Sequence, residues 1–179
     1  MTKTDAYFFA RLVLALTFSV SAWVKINDLD SFHDTITAFK LASDRRARTL
    51  APIVAGTEVL VVVLLVATTQ TALLGLGLAA AQLAVYTWIL TTARLHGAAV
   101  GCNCFGKKMQ KLSWYDVARN VLLLATVALG FATYTGALAL ANYSTGVLVA
   151  MAVAAVIVVV NLGSLTEAVI RPISSEEKS

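Results

Sequence analysis

Cys102 and Cys104 are the only two cysteines in the 179-residue chain, and they stand one residue apart in Gly101-Cys102-Asn103-Cys104-Phe105-Gly106. The thiolate is the form of cysteine that attacks disulfides and binds metals. Lys107, Lys108, Lys111 and Arg119 follow closely in sequence and favour thiolate over thiol. A disulfide across a single intervening residue closes a small, strained ring, and a strained disulfide is the more readily reduced. Gly101 and Gly106 bracket the pair and permit the tight turns that such a ring needs. Three readings fit the pair: a thiol–disulfide redox couple, a soft-metal site, and two small apolar residues of structural use. His96 could add a third ligand, but structural zinc takes four, usually with wider cysteine spacing. No Met-rich or His-rich tract suggests copper traffic. Two thiols held between glycines in a loop favour the redox couple.

Charged residues inside apolar runs are the next candidates. Glu58 sits within Leu50 to Thr68, about 12 Å along that helix from its basic end. A carboxylate at that depth must face the bundle interior or water. Arg119 enters the Tyr115 to Tyr134 run by a similar amount from the same end, so a Glu58–Arg119 ion pair is geometrically reasonable. The pair could only clamp two helices, or Glu58 could move protons to the thiols or to a quinone. Arg11, in the first apolar run, is expected to snorkel to the nearer interface. Lys25, at the end of that run, meets headgroups or bends inward towards Glu58. Trp23, Trp88 and Trp114 stand near helix ends, as in an aromatic belt.

The elements that must position these residues follow from composition. The chain is 59% hydrophobic and 13% charged, with a mean hydropathy of +0.79. Soluble domains carry roughly 25% charged residues, so most side chains here face lipid or other helices. With only 2 prolines and no alternation of polar and apolar residues, the fold class is all-α: a polytopic membrane helix bundle and not a β-barrel. About five spans are long enough to cross a bilayer: Tyr7 to Val24, Leu50 to Thr68, Thr71 to Ala93, Tyr115 to Tyr134, and Tyr143 to Gly163. The first is expected to be retained and not cleaved as a signal, because Arg11 breaks its apolar stretch. Phe32, Ile36 and Phe39 recur at helical spacing among polar residues, which predicts a short amphipathic surface helix between the first two spans. Thr69-Gln70 reads as a tight polar turn. Residues 1–170 form a single membrane domain with its core at 7–134, and 171–179 a loose charged tail.

The pI near 9.2 does not indicate nucleic acid, because the basic residues lie between apolar segments, where they orient a membrane protein. Lys25, Lys40, Arg45, Arg46 and Arg48 gather in one connection, and Arg94, Lys107, Lys108 and Lys111 in the cysteine loop. That distribution places both connections on the cytoplasmic side of the cell membrane and the amino terminus outside. Disulfide-forming membrane proteins commonly work on the oxidising face, and the charge distribution opposes that placement.

The stretch Gly97…Cys102-x-Cys104-Phe105-Gly106…Arg119-Asn120, with Arg11, Lys25, Phe32 and Glu58 upstream, resembles the MauE family of methylamine utilisation proteins within the broader DoxX-like membrane group. The resemblance covers Tyr7 to Tyr134. It implies a multi-pass protein that helps to make active methylamine dehydrogenase by forming or transferring disulfides, often beside a thioredoxin-like partner. In that family the residue between the cysteines is commonly Gly, and Asn103 stands here. The catalytic residues expected are Cys102, Cys104, Glu58 and Arg119, supported by Arg11, Lys25, Gly101, Phe105, Gly106 and Asn120. Electrons would pass to a quinone or to the thioredoxin-like partner, and the residues assign no cofactor beyond that. A non-enzymatic assembly subunit and a soft-metal binder are the rival functions.

Overall fold

The computed structural model describes residues 3–39, 41–95, 114–134, 149–154 and 156–157. Among the described residues all regular structure is helical, in five bounded helices: α1 (Lys3–Asn27), α2 (Leu29–Ala38), α3 (Asp44–Ala67), α4 (Thr69–Leu95) and α5 (Trp114–Ala132). Four of them, α1, α3, α4 and α5, are long and apolar enough to cross a membrane. The protein is thus a polytopic membrane helix bundle. The span expected at Tyr143 to Gly163 lies largely outside the described residues. Its described helical residues, 149–154 and 156–157, set Ala152 and Val156 against Val13 of α1.

The four spanning helices close a ring in which α1 packs on α3, α3 on α4, α4 on α5, and α5 back on α1. Each neighbour runs antiparallel. Tyr7, near the start of α1, lies edge-on to Tyr134 just beyond α5, with ring centroids 5.5 Å apart. Arg94 at the end of α4 stands over Trp114 at the start of α5. The core between them is Leu14 and Phe18 of α1, Val61 and Leu65 of α3, Leu76 and Leu83 of α4, and Leu123 and Val127 of α5. In lipid the helices gain nothing by hiding apolar surface from one another, so close packing must hold them. Gly75 shows how close: a Cβ there would meet the Leu65 backbone nitrogen at 3.0 Å and the Leu64 Cβ at 3.1 Å.

α1 and α4 outrun their expected apolar runs at both ends, whereas α3 and α5 start earlier than expected and stop one and two residues short. The turn expected at Thr69-Gln70 is one residue earlier. Thr68 alone is extended, at φ −142° and ψ 170°, and Thr69 and Gln70 already belong to α4. Thr68 and Thr71 exchange side-chain-to-backbone bonds at 3.0 and 3.1 Å, and so satisfy amide groups that a helix start leaves open.

The amphipathic helix lies where the sequence places it. Asp28 caps α2 by accepting from the Ser31 amide at 3.1 Å. Its buried residues are Phe32, Thr35 and Ile36. Phe32 and Ile36 dock on Ala47 and Ala51 of α3, small residues one turn apart that leave a groove for them. The apolar face of α2 is therefore spent on the bundle, and α2 roofs one end of it.

Candidate functional site

Lys25 falls in the last turn of α1, where a cation suits the helix dipole. Its side chain does not leave for the headgroups; it turns inward and is 1% exposed. Its Nζ donates to Ser21 Oγ, one turn back, at 2.6 Å, and to Glu58 Oε1 of α3 at 2.6 Å. The Phe32 ring of α2 and the Tyr86 ring of α4 face the same ammonium, with centroids at 5.2 and 5.4 Å. One cation thereby joins four helices. Glu58 is fully buried. A lone carboxylate there would be costly, and the ammonium with its hydrogen bonds offsets much of that cost.

A second donor reaches the same oxygen: Tyr86 OH donates to Glu58 Oε1 at 2.8 Å. Gln82, one turn earlier on α4, donates to Tyr86 OH at 2.9 Å and lies 3.3 Å from Thr57 Oγ1. The result is a continuous polar line, Gln82–Tyr86–Glu58–Lys25–Ser21, through three spanning helices. Among the described residues, Glu58 Oε2 and Gln82 Oε1 are buried with no hydrogen-bond partner.

Beside this line lies a cavity of about 260 Å³, which Lys25, Glu58, Tyr86, Arg119 and Asn120 share with mostly apolar walls. Arg119 and Asn120 are both buried on α5. Arg119 Nη2 stands 3.9 Å from Asp116 Oδ1. The anticipated Glu58–Arg119 pair is thus replaced by Lys25–Glu58, because the last turn of α1 sets the ammonium directly against α3. Arg119 takes part by lining the same cavity.

Arg11 belongs elsewhere. It does not snorkel; it is 9% exposed, and its Nε and Nη2 both donate to the Leu65 carbonyl, the former at 2.9 Å. Leu65 lies in the last turn of α3, where carbonyls lack partners within the helix. Arg11 therefore caps that end of α3, its guanidinium also 5.5 Å from the Tyr7 ring centroid. Trp23 and Trp88 project outward, 70% and 71% exposed, as residues at a membrane interface do.

Of the residues anticipated, the structure brings Glu58, Lys25, Arg119 and Asn120 together and sets Arg11 at the far end of the bundle. Gly101, Cys102, Cys104, Phe105 and Gly106 lie outside the described residues. Tyr86, Gln82 and Ser21 were not anticipated. Gln82 and Tyr86 carry a signal in hindsight: two polar side chains four apart on one face of an apolar span.

Residues 3–133 match the family model for methylamine utilisation protein MauE. The chain belongs to the MauE family. The matched region contains α1 to α5 whole, and with them the polar line and both cysteines. The methylamine utilization protein MauE of Paracoccus denitrificans is 34% identical over 125 residues, which span 69% of this chain and 66% of that relative's length. No solved structure matches the chain. Membership of the MauE family and four membrane-length helices describe the same thing, a multi-pass membrane protein.

Proposed function

We propose that this chain is a membrane thiol–disulfide redox protein in which Cys102 and Cys104 cycle between dithiol and disulfide. The observation that supports the proposal is the pair's position along the chain: Cys102 and Cys104 lie in sequence between the end of α4 at Leu95 and the start of α5 at Trp114, and those two helix ends share the half of the bundle that holds Lys25, Glu58 and Tyr86. Cys102 stands seven positions beyond Leu95, a reach of at most about 25 Å even when extended.

The exchange balances. The Cys102–Cys104 disulfide accepts two electrons from two thiols of a partner, whose own disulfide forms. The proceeding step is attack of a partner thiolate on one sulfur, a mixed disulfide, and its resolution by the partner's second thiol. The two partner protons stay with the reduced pair. A carboxylate, ammonium and phenol hydrogen-bonded in line supply a place to hold and pass protons near that chemistry. The MauE relationship supports a role in methylamine utilisation, with a partner that needs disulfides, such as methylamine dehydrogenase, or a thioredoxin-like protein. The basic residues at the α2–α3 connection, with Arg94, favour the cell membrane with this end of the bundle cytoplasmic.

The test uses the purified chain in lipid nanodiscs. Alkylation of free thiols should trap two cysteines after reduction and none after oxidation with a small-molecule disulfide. Cys102→Ser or Cys104→Ser should abolish dithiol exchange and leave a single alkylatable thiol. Two thiols that stay alkylatable through oxidation reject the redox reading. Full support of the partner by the double variant would reject it too, and would favour an assembly subunit.

A further inference from the structure

We propose that the cavity beside Glu58 binds the head of a lipid-soluble quinone, the class of oxidant that would return the cysteine pair to disulfide. The inference rests on the redox reading above. That reading leaves a two-electron oxidant to be found.

The cavity's shape and chemistry narrow the choice. Its walls include Leu50 and Val85, which are also 39% and 56% exposed on the outer faces of α3 and α4. Both lie on helices long and apolar enough to cross a membrane, so the cavity reaches the surface of the bundle at apolar residues. An occupant that arrives this way is apolar over most of its surface. A cavity of roughly 150 Å³ suffices for one benzene ring, so about 260 Å³ holds a substituted ring with the first part of a tail. Apolar walls with a few convergent polar groups are the usual make-up of a small-molecule site.

The polar end discriminates further. Glu58 is fully buried and lines the cavity, while its Oε2 accepts nothing from the described residues. That oxygen has almost no accessible surface, so the carboxylate acts on an occupant through its charge and not through a hydrogen bond. A phospholipid phosphate offers only acceptors and a like charge beside the carboxylate. A plain hydrocarbon offers nothing. A quinone is uncharged, and its carbonyl oxygens meet a space lined by the Arg119 guanidinium and the Asn120 amide of α5. The step balances: two Cys S–H bonds break and one S–S bond forms. The electron pair and both protons go to the quinone, whose two carbonyl oxygens become hydroxyls.

The experiment uses decylubiquinone and the full chain in phosphatidylcholine–phosphatidylglycerol nanodiscs, so that lipid competes throughout. Binding is read by co-elution of the quinone, and turnover by the quinone-to-quinol absorbance change after dithiol loading. Val54→Trp and Ile89→Trp each fill the cavity from a partly buried wall position, and Val66→Trp on the outer face of α3 is the control. Both wall variants should weaken binding and quinol formation by about tenfold or more, while the control does neither. Thiol exchange with a small disulfide should be unchanged in all three. Binding should also persist in the double Cys→Ser variant, which separates the site from the redox reading. Equal binding of decylbenzene, which lacks the oxygens, would overturn the proposal. So would wall variants that reduce quinone at the native rate. Loss of exchange in the native chain with binding intact would instead reject the redox reading and leave the site standing.

Discussion

Lys25 and Glu58, 33 positions apart, meet at 2.6 Å with both side chains out of solvent. The contact fixes the end of α1 against the middle of α3, and Phe32 and Tyr86 complete the cage around the ammonium. In a bundle whose helices gain little from the hydrophobic effect, such a pair sets helix rotation as much as it adds stability.

Removing one charge of this pair should cost far more than removing both. Lys25→Met leaves a buried carboxylate without its cation and should destabilise by about 3–5 kcal/mol. Adding Glu58→Gln to Lys25→Met should restore much of that, because the amide can still accept from Tyr86. Unfolding of the three variants in mixed detergent micelles measures this, and strictly additive costs would refute the coupling.

At the opposite end, Arg11 caps the last turn of α3 through the Leu65 carbonyl. Arg11→Leu should cost about 1.5–3 kcal/mol, the range for a hydrogen bond with a charged donor. The loss should appear as faster hydrogen exchange around Val66 to Thr68, with exchange near Glu58 little changed. Uniform loosening of the bundle would argue against local capping.

Gly75 and Gly77, both on α4, should respond in opposite directions. A Cβ at Gly75 presses on the Leu65 backbone and the Leu64 side chain, whereas one at Gly77 meets nothing within 4 Å. Gly75→Ala should destabilise by about 1–3 kcal/mol through overpacking. Gly77→Ala should be neutral or stabilise by up to about 1 kcal/mol, the gain in helix propensity. Thermal unfolding midpoints that fall for both would show that Gly77 packs against something further.

The side of the membrane that carries the cysteines is open to direct measurement. The proposed orientation, argued from the basic residues, would put Cys102 and Cys104 on the cytoplasmic side. A membrane-impermeant maleimide should therefore label inverted vesicles and spare intact cells. Labelling of intact cells alone would reverse the orientation and put the thiols on the oxidising face.

Composition and hydropathy by themselves determined the class of this protein, because a bilayer leaves few solutions for a chain with so few charges. Four spans, the short amphipathic helix of Phe32 and Ile36, and the ionisable residues set within apolar runs were all readable along the chain. These are local properties, decided by periodicity and run length. The cysteine pair and the residues around it were also enough to suggest the family that the comparisons show. Partner choice was another matter. Which residue neutralises Glu58, and that Arg11 serves a carbonyl 54 positions away, depend on how each helix is rotated about its axis and how deeply it sits. Packing of small residues such as Gly75 and Ala51 sets those variables, and no window of sequence contains them. Tertiary structure alone therefore chose Lys25 over Arg119, recruited Tyr86 and Gln82, and set Glu58 in the wall of an apolar cavity.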